Sequence, residues 1–305
     1  LMTSSSYYLC MMKRLTSLLI AAAAVVATFA LPAHAQLTKP FLWELSKGGK
    51  TVTLFGSLHV GKNDFFPLPE SVLKRYDDAK VLAVEADITV PETQQACIKL
   101  GVTTEKLEGV LPAEDYAALV NYAKASGLPE GALQNRKLWL LNLVVVGVEL
   151  GQLGVDFGRG LDVVFIRDAK KDKKRIAEVE GGQRQCGALA AATNTEAAAS
   201  MARFLATVRE NKMERRLNEM VDAYRAGDAT TMARVVNEEF GTTPEGLSAR
   251  KRVFDDRHPA MADAIDNYFK QADKHFVVIG VGHMVGENNL LEALAKKGVS
   301  IKRVE

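Results

Sequence analysis

The sequence is poor in cysteine. Only Cys97 and Cys186 lie beyond residue 35, and they are far apart in the chain. Two cysteines at this separation do not form a zinc-finger pattern or a disulfide-rich scaffold, and they leave open one disulfide or two separately buried thiols. Any metal site must therefore use histidine and carboxylate ligands.

Net charge and long apolar segments are also lacking after residue 35. Lys13 and Arg14 are the only charged residues before that point, so the remainder carries 37 basic and 37 acidic side chains. An electroneutral chain is a poor candidate for binding nucleic acid or anionic membrane surfaces. The longest later apolar stretch, residues 138–148, is shorter than the roughly 20 residues that cross a bilayer, and we expect a core helix there.

Residues 1–35 have the pattern of a cleaved secretory signal peptide. Lys13 and Arg14 precede an apolar stretch at 18–30, which ends in the small-residue site Ala33-His34-Ala35. We therefore expect cleavage before Gln36, a periplasmic or secreted protein, and one mature domain over residues 36–305. An oxidising compartment would favour pairing of the two later cysteines.

Several nearly continuous apolar segments predict a sheet that is covered by helices on both faces. Strands are expected at residues 41–45, 51–55, 81–84, 175–179, 275–281 and 299–304. The segments between them are mostly helical, and the longest, residues 195–270, forms a large helical insertion. The predicted fold is α/β (α+β), with a mixed central sheet flanked by helices.

Two Gly-x-x-His motifs, Gly56-Ser57-Leu58-His59 and Gly280-Val281-Gly282-His283, each follow a predicted strand. A glycine where a buried strand ends lets the backbone turn tightly and direct the imidazole into a cleft. Two such histidines, from opposite ends of the chain, could converge on one metal ion.

Two further predicted strands end at a glutamate, Glu85 and Glu180. Ligands of open α/β sheets gather at the carboxyl ends of strands, so these four residues could share a pocket. Two imidazoles with a carboxylate suit a divalent transition metal such as Mn, Co or Zn, and a second carboxylate could serve as general base. Taken singly, the histidines also fit packing or capping roles, Glu85 fits a loop position, and Glu180 fits a helix cap.

Other polar residues give weaker signals. Asp162 is expected in the first turn of a helix that starts at Leu161, where the helix dipole favours an anion. By composition alone Arg257 is a surface residue, and His258 and His275 are expected to face solvent. The chain has no Gly-x-Ser-x-Gly elbow and no His-Glu-x-x-His helix, which argues against a serine hydrolase triad and a zincin.

The chain resembles the TraB/GumN family of bacterial proteins, which is similar to the animal Tiki proteins. The resemblance covers nearly the whole mature chain and is carried by Gly56-Ser57-Leu58-His59, Val84-Glu85-Ala86-Asp87, Gly160-Leu161-Asp162, Val179-Glu180 with Gln183 or Gln185, and Val281-Gly282-His283. It implies a core related to erythromycin esterase and to haem-binding ChaN-like folds, and a metal-dependent peptidase acting on a peptide or protein substrate.

The resemblance also implies an active-site set of two Gly-x-x-His motifs, a glutamate and an arginine. On matching positions these are His59, His283, Glu85 and Arg257, and Glu180 matches a further acidic position. Where the family usually reads Arg-Asn, this chain has Arg257-His258-Pro259.

The leading hypothesis is an exported hydrolase in which His59, His283 and Glu85 hold a divalent metal. Glu85 or Glu180 would activate water, and Arg257 would stabilise a developing oxyanion. One alternative is a binding protein that holds a tetrapyrrole or a metal without turnover. Another is a catalytically idle envelope protein that acts through protein contacts.

Overall fold

The computed structural model describes residues 37–61 and 65–304. The predicted signal peptide lies outside the described residues. One six-stranded sheet organises the described chain. Its strands are β1 (Leu42–Lys47), β2 (Lys50–Ser57), β3 (Val81–Val84), β4 (Arg175–Glu178), β5 (His275–Gly280) and β6 (Ser300–Arg303).

The strands lie in the order β4-β3-β5-β2-β1-β6. Neighbouring strands from β4 to β2 pair in parallel, whereas β1 pairs antiparallel with both β2 and β6. The four parallel strands therefore end at the same edge of the sheet. Of these four strands, β5 comes last in the sequence, and it lies between β2 and β3.

A tight turn joins β1 to β2. Gly48 and Gly49 both have positive φ angles, 57° and 76°, and Lys47 pairs with Lys50 across them. Two consecutive positive φ angles define the type I′ hairpin turn, whose twist matches that of the flanking strands and which glycine adopts without strain. The predicted strand, turn and strand are confirmed at this position.

Helices fill the connections between strands. They are α1 (Glu70–Asp78), α2 (Pro91–Gly101), α3 (Ala113–Ala125), α4 (Leu138–Gln152), α5 (Leu161–Lys171), α6 (Gly182–Leu189), α7 (Asn194–Arg209), α8 (Met213–Ala226), α9 (Ala229–Phe240), α10 (Pro244–Val253), α11 (His258–Tyr268) and α12 (Leu290–Lys296). The largest core cluster packs α1, α5, α8 and α11 on the sheet. Phe55, Phe165 and Phe276 meet at its centre, with ring centroids 5.1–6.0 Å apart.

A second hydrophobic cluster lies among the helices. It joins Leu119 of α3, Leu141 and Val145 of α4, and Met201 and Phe204 of α7. The helical region predicted at residues 195–270 is therefore divided: α7 belongs to this second cluster, whereas α8, α9 and α11 contribute to the core on the sheet.

The mixed α/β fold predicted from the sequence is confirmed, including all six strands to within about three residues at each end. Within the described ranges, no helix is both long enough and apolar enough to cross a bilayer. The relation to ChaN-like and erythromycin esterase folds stays a prediction.

Candidate functional site

A polar centre lies at the edge where the four parallel strands end. The strands β2, β3, β4 and β5 lead directly to His59, Glu85, Glu180 and His283, which the topology brings together from widely separated parts of the chain.

Glu85 is the central group of this site. Its side chain is 5% exposed, and its carboxylate faces both motif histidines: His59 Nε2 lies 3.8 Å from Oε1, and His283 Nε2 lies 3.8 Å from Oε2. The backbone N–H of Gly280 donates to Oε1 at 2.7 Å, and Gln185 Nε2 donates to Oε2 at 3.1 Å. These contacts satisfy a buried charge that would otherwise be costly.

Arg257 neutralises the two glutamates of the site. Its guanidinium is buried, with Nη2 donating to Glu85 Oε2 at 2.6 Å and Nε donating to Glu180 Oε2 at 2.9 Å. The Glu180 side chain is fully buried, and both of its oxygens accept hydrogen bonds from this arginine. Arg257 therefore lies inside the site, although composition alone placed it at the surface.

The two histidines differ in exposure. The His59 side chain is 48% exposed, whereas that of His283 is 3% exposed. Each has its second ring nitrogen engaged: His59 Nδ1 lies 3.1 Å from Asp162 Oδ2, and His283 Nδ1 lies 3.0 Å from His258 Nε2. Asp162 is in the first turn of α5, as the sequence predicts. Partners of this kind fix the orientation and tautomer of an imidazole.

The electrostatics follow from burial and charge. Burial lowers the pKa of His283 to about 3, against the attraction of Glu85, so this ring is neutral near pH 7. The His59 ring is only partly buried; burial acts to lower its pKa, but Asp162 and Glu85 outweigh it and raise the pKa to about 9, so a metal that binds at Nε2 would displace a proton. Burial would raise the pKa of Glu85, but Arg257, His59 and the backbone N–H of Gly280 hold it well below its usual range.

The motif glycines provide space at the site. A Cβ atom on Gly280 would lie 2.7 Å from His59 Nε2 and 3.3 Å from Glu85 Oε1, and one on Gly56 would lie 2.9 Å from Phe41 Cβ. The sequence argument that these glycines allow a tight turn is wrong for Gly280, whose φ of −53° is open to any residue. Close approach of neighbouring groups explains the glycine instead.

The residues fit a divalent transition metal in their donor chemistry. His59 and His283 each direct Nε2 toward Glu85, and two imidazoles with one carboxylate form a common catalytic ligand set. The site as arranged also holds a competing cation, because Arg257 Nη1 lies 3.1 Å from His283 Nε2. Among residues 37–61 and 65–304, no group of three or more His, Cys, Asp or Glu residues is spaced to hold a metal ion.

Two further histidines differ from what the sequence suggested. His258 and His275 were expected to face solvent, and this is wrong, because each is 3% exposed. His258 shares the buried face of α11 with Met261 and Ile265, and this three-to-four-residue spacing is the signal that predicts its burial. His275 begins the central strand β5 and stacks on Tyr268 at 4.4 Å.

A disulfide lies behind the site. Cys97 of α2 and Cys186 of α6 are paired, with Cα atoms 5.1 Å apart. Cys186 follows Gln185, whose amide contacts Glu85. Of the two glutamines that carry the resemblance, the structure brings Gln185 to the site.

Comparisons with known proteins identify the family of this chain. The chain is 29% identical over 142 residues to the uncharacterized protein YbaP of Escherichia coli (strain K12), and it matches that of Shigella flexneri to the same extent. The match covers 47% of this chain and 53% of each relative, so the chain spans about half the length of the curated relatives it matches. No solved structure matches. The profile of the TraB/PrgY/gumN family matches residues 41–303, and the chain belongs to this family.

Proposed function

We propose that this protein is an exported metal-dependent hydrolase that cleaves peptide bonds. His59, His283 and Glu85 would hold a divalent transition metal at the carboxyl edge of the sheet. Export rests on the signal-peptide pattern of residues 1–35, and the peptide substrate rests on the family resemblance.

One observation carries this proposal. The Nε2 atoms of two histidines from opposite ends of the chain face the two oxygens of a single buried carboxylate, each at 3.8 Å. Each histidine is also held at Nδ1 by a second side chain, Asp162 or His258. Purely structural histidines do not require this paired arrangement, whereas metal ligands typically have it.

The accessible part of the site lies at His59. Because its ring is half exposed and the other central groups are buried, substrate would approach from this side. A bound divalent metal would supply a Lewis acid and lower the pKa of water to about 7. Of the two glutamates, Glu85 faces both motif histidines, whereas both oxygens of Glu180 are bound by Arg257, so Glu85 would be the carboxylate ligand and the metal itself would acidify the water.

Arg257 would stabilise negative charge that develops on the substrate. Its guanidinium lies within hydrogen-bond distance of Glu85 and His283, so it places a permanent positive charge beside the reacting centre. Glu180 holds this guanidinium through Nε and Nη2. We therefore assign Glu180 to positioning Arg257 instead of activating water.

A cleavage assay tests the proposal. Chelator-treated protein is offered an internally quenched peptide library, with Mn²⁺, Co²⁺ or Zn²⁺ added back. We expect metal-dependent cleavage by the wild type, a loss of at least about 100-fold in Glu85→Gln, and full activity in the surface control Glu92→Gln. Full activity of Glu85→Gln, or wild-type activity that survives chelation, would contradict it. A Soret band on haem titration without cleavage would support the tetrapyrrole-binding alternative.

A further inference from the structure

The site has a third histidine that the hydrolase mechanism does not use. His258 lies at the start of α11 and is as buried as His283, with which it forms a hydrogen bond. The two rings meet edge to face, with centroids 5.2 Å apart. A buried, hydrogen-bonded pair of imidazoles requires a defined arrangement of protons.

Three residues from one short segment, 254–258, contact the ring of His283. Phe254 packs edge to face on its ring at 4.9 Å, Arg257 Nη1 lies 3.1 Å from Nε2, and His258 Nε2 lies 3.0 Å from Nδ1. A Cβ on Gly282 would lie 2.8 Å from the Phe254 ring, so the preceding residue leaves room for this contact. This segment therefore contacts both nitrogens of the His283 imidazole and packs against its ring.

The ends of this hydrogen-bond chain fix its direction. At one end, His258 Nδ1 lies 2.7 Å from the backbone carbonyl of Asn288, which only accepts, so Nδ1 carries the proton. Neutral His258 then has an acceptor at Nε2, and His283 must donate from Nδ1. At the other end, the guanidinium of Arg257 only donates, which requires a lone pair on His283 Nε2. Burial lowers the pKa of both rings, in agreement with two neutral imidazoles.

We propose that His258 is a positioning residue that holds His283 in the Nδ1–H tautomer and so keeps the Nε2 lone pair directed at the centre of the site. This tautomer is the one in which Nε2 binds a metal ion. The consequence for metal binding rests on the proposed function, whereas the tautomer itself does not.

Ring-nitrogen NMR of the wild type tests the assignment directly. In ¹⁵N-labelled protein near pH 7, long-range ¹H–¹⁵N spectra should show His258 and His283 each protonated at Nδ1 and unprotonated at Nε2. A His283 ring protonated at Nε2, or an even mixture of tautomers, would overturn the proposal. This measurement requires no variant to fold and no metal to bind.

Two variants separate positioning from packing. His258→Gln keeps an acceptor near His283 Nδ1, and His258→Leu keeps the volume but loses the acceptor. We expect the Nδ1–H tautomer to persist in His258→Gln and to lose population in His258→Leu, in which Arg257 alone still favours it. The control is His275→Leu, which removes an equally buried histidine at the far end of β5. It should leave the His283 tautomer unchanged.

Calorimetric titration with Mn²⁺ or Co²⁺ then measures the consequence. His258→Leu should weaken metal binding by about 10- to 100-fold, and His258→Gln and His275→Leu should remain within a few-fold of the wild type. If the tautomer shifts in His258→Leu but the wild type binds no metal, the positioning role stands and the proposed function fails. If the wild type binds metal and neither tautomer nor affinity changes in His258→Leu, the positioning role is wrong.

Discussion

At the scale of single residues, the site depends on a glycine as much as on its polar groups. Gly280 donates its N–H to Glu85 and leaves the space that His59 Nε2 approaches. Its backbone conformation is ordinary, so the need for glycine lies in contacts with residues more than 190 positions away. Because of these close contacts, adding one methyl group at position 280 should disturb the site itself.

We expect Gly280→Ala to reduce stability by about 1–3 kcal/mol, because the new Cβ would displace His59 and Glu85. The displacement should also weaken Mn²⁺ binding at least about 10-fold. Denaturant unfolding and metal titration measure the two effects. The control Gly151→Ala lies in α4 with nothing within 4 Å of its added Cβ, so it should leave Mn²⁺ binding unchanged and raise stability by up to about 1 kcal/mol. Wild-type behaviour of Gly280→Ala would refute the steric argument.

The buried arginine gives a second prediction at this scale. Arg257→Met would leave Glu85 and Glu180 without their cation, and we expect a loss of about 3–5 kcal/mol in the free energy of unfolding. Adding Glu180→Gln should restore part of that loss, because it removes one of the stranded charges. The exposed pair of Arg175 and Asp273 is the control, and Arg175→Met should cost no more than about 1 kcal/mol. Equal costs at the two arginines would contradict the account.

Sequence reasoning found the polar residues that follow strands. His59, Glu85, Glu180 and His283 each come directly after a short apolar run, and that local pattern is enough to place them at one edge of a parallel sheet. This local pattern did not identify His258, because its partner His283 is 25 positions away and its burial depends on how α11 packs. The composition of the region made Arg257 look like a surface residue, and only the family resemblance pointed to it.

At the scale of elements, the link between α2 and α6 supports the site from behind. Gly182, the first residue of α6, packs so closely on Thr93 of α2 that a Cβ would lie 2.6 Å from its side chain. The disulfide between Cys97 and Cys186 joins the same two helices. Because α6 also carries Gln185, weaker packing between α2 and α6 should disturb the hydrogen bond from Gln185 to the Glu85 carboxylate.

We expect the double variant Cys97→Ala/Cys186→Ala to lose about 2–5 kcal/mol of stability, since the disulfide closes a loop of 89 residues in the unfolded chain. Reductant should destabilise the wild type by a similar amount and leave the double variant unchanged. Denaturant unfolding with and without dithiothreitol provides this comparison. An equal response of both proteins to reductant would show that the pairing does not stabilise the fold.

The elements themselves were largely predictable, because strands buried on both faces have continuous apolar sequences and the helix starts carry proline or capping residues. The second hydrophobic cluster could not be predicted from the sequence. It joins α3 and α4, which precede β4, with α7, which follows it, and no local period shows which helices pack together.

At the scale of the whole molecule, strand order creates the site. Because β5 is inserted between β2 and β3, the strand that leads to the C-terminal Gly-x-x-His motif lies between the strands that lead to the N-terminal motif and to Glu85. Sequence spacing alone does not give this order, since parallel strands can be joined by crossovers of many lengths. The sequence predicted which residues meet, and the topology explains how they meet.

The most direct test of this account is the metal content of protein purified without chelator or histidine tag and then equilibrated with Mn²⁺, Co²⁺ or Zn²⁺. Elemental analysis should find about one metal ion per wild-type chain and per His275→Ala control, and much less in both His59→Ala and His283→Ala. Loss of metal in both variants would tie the two distant motifs to one centre. No bound metal in the wild type, or full occupancy in either variant, would contradict the shared centre.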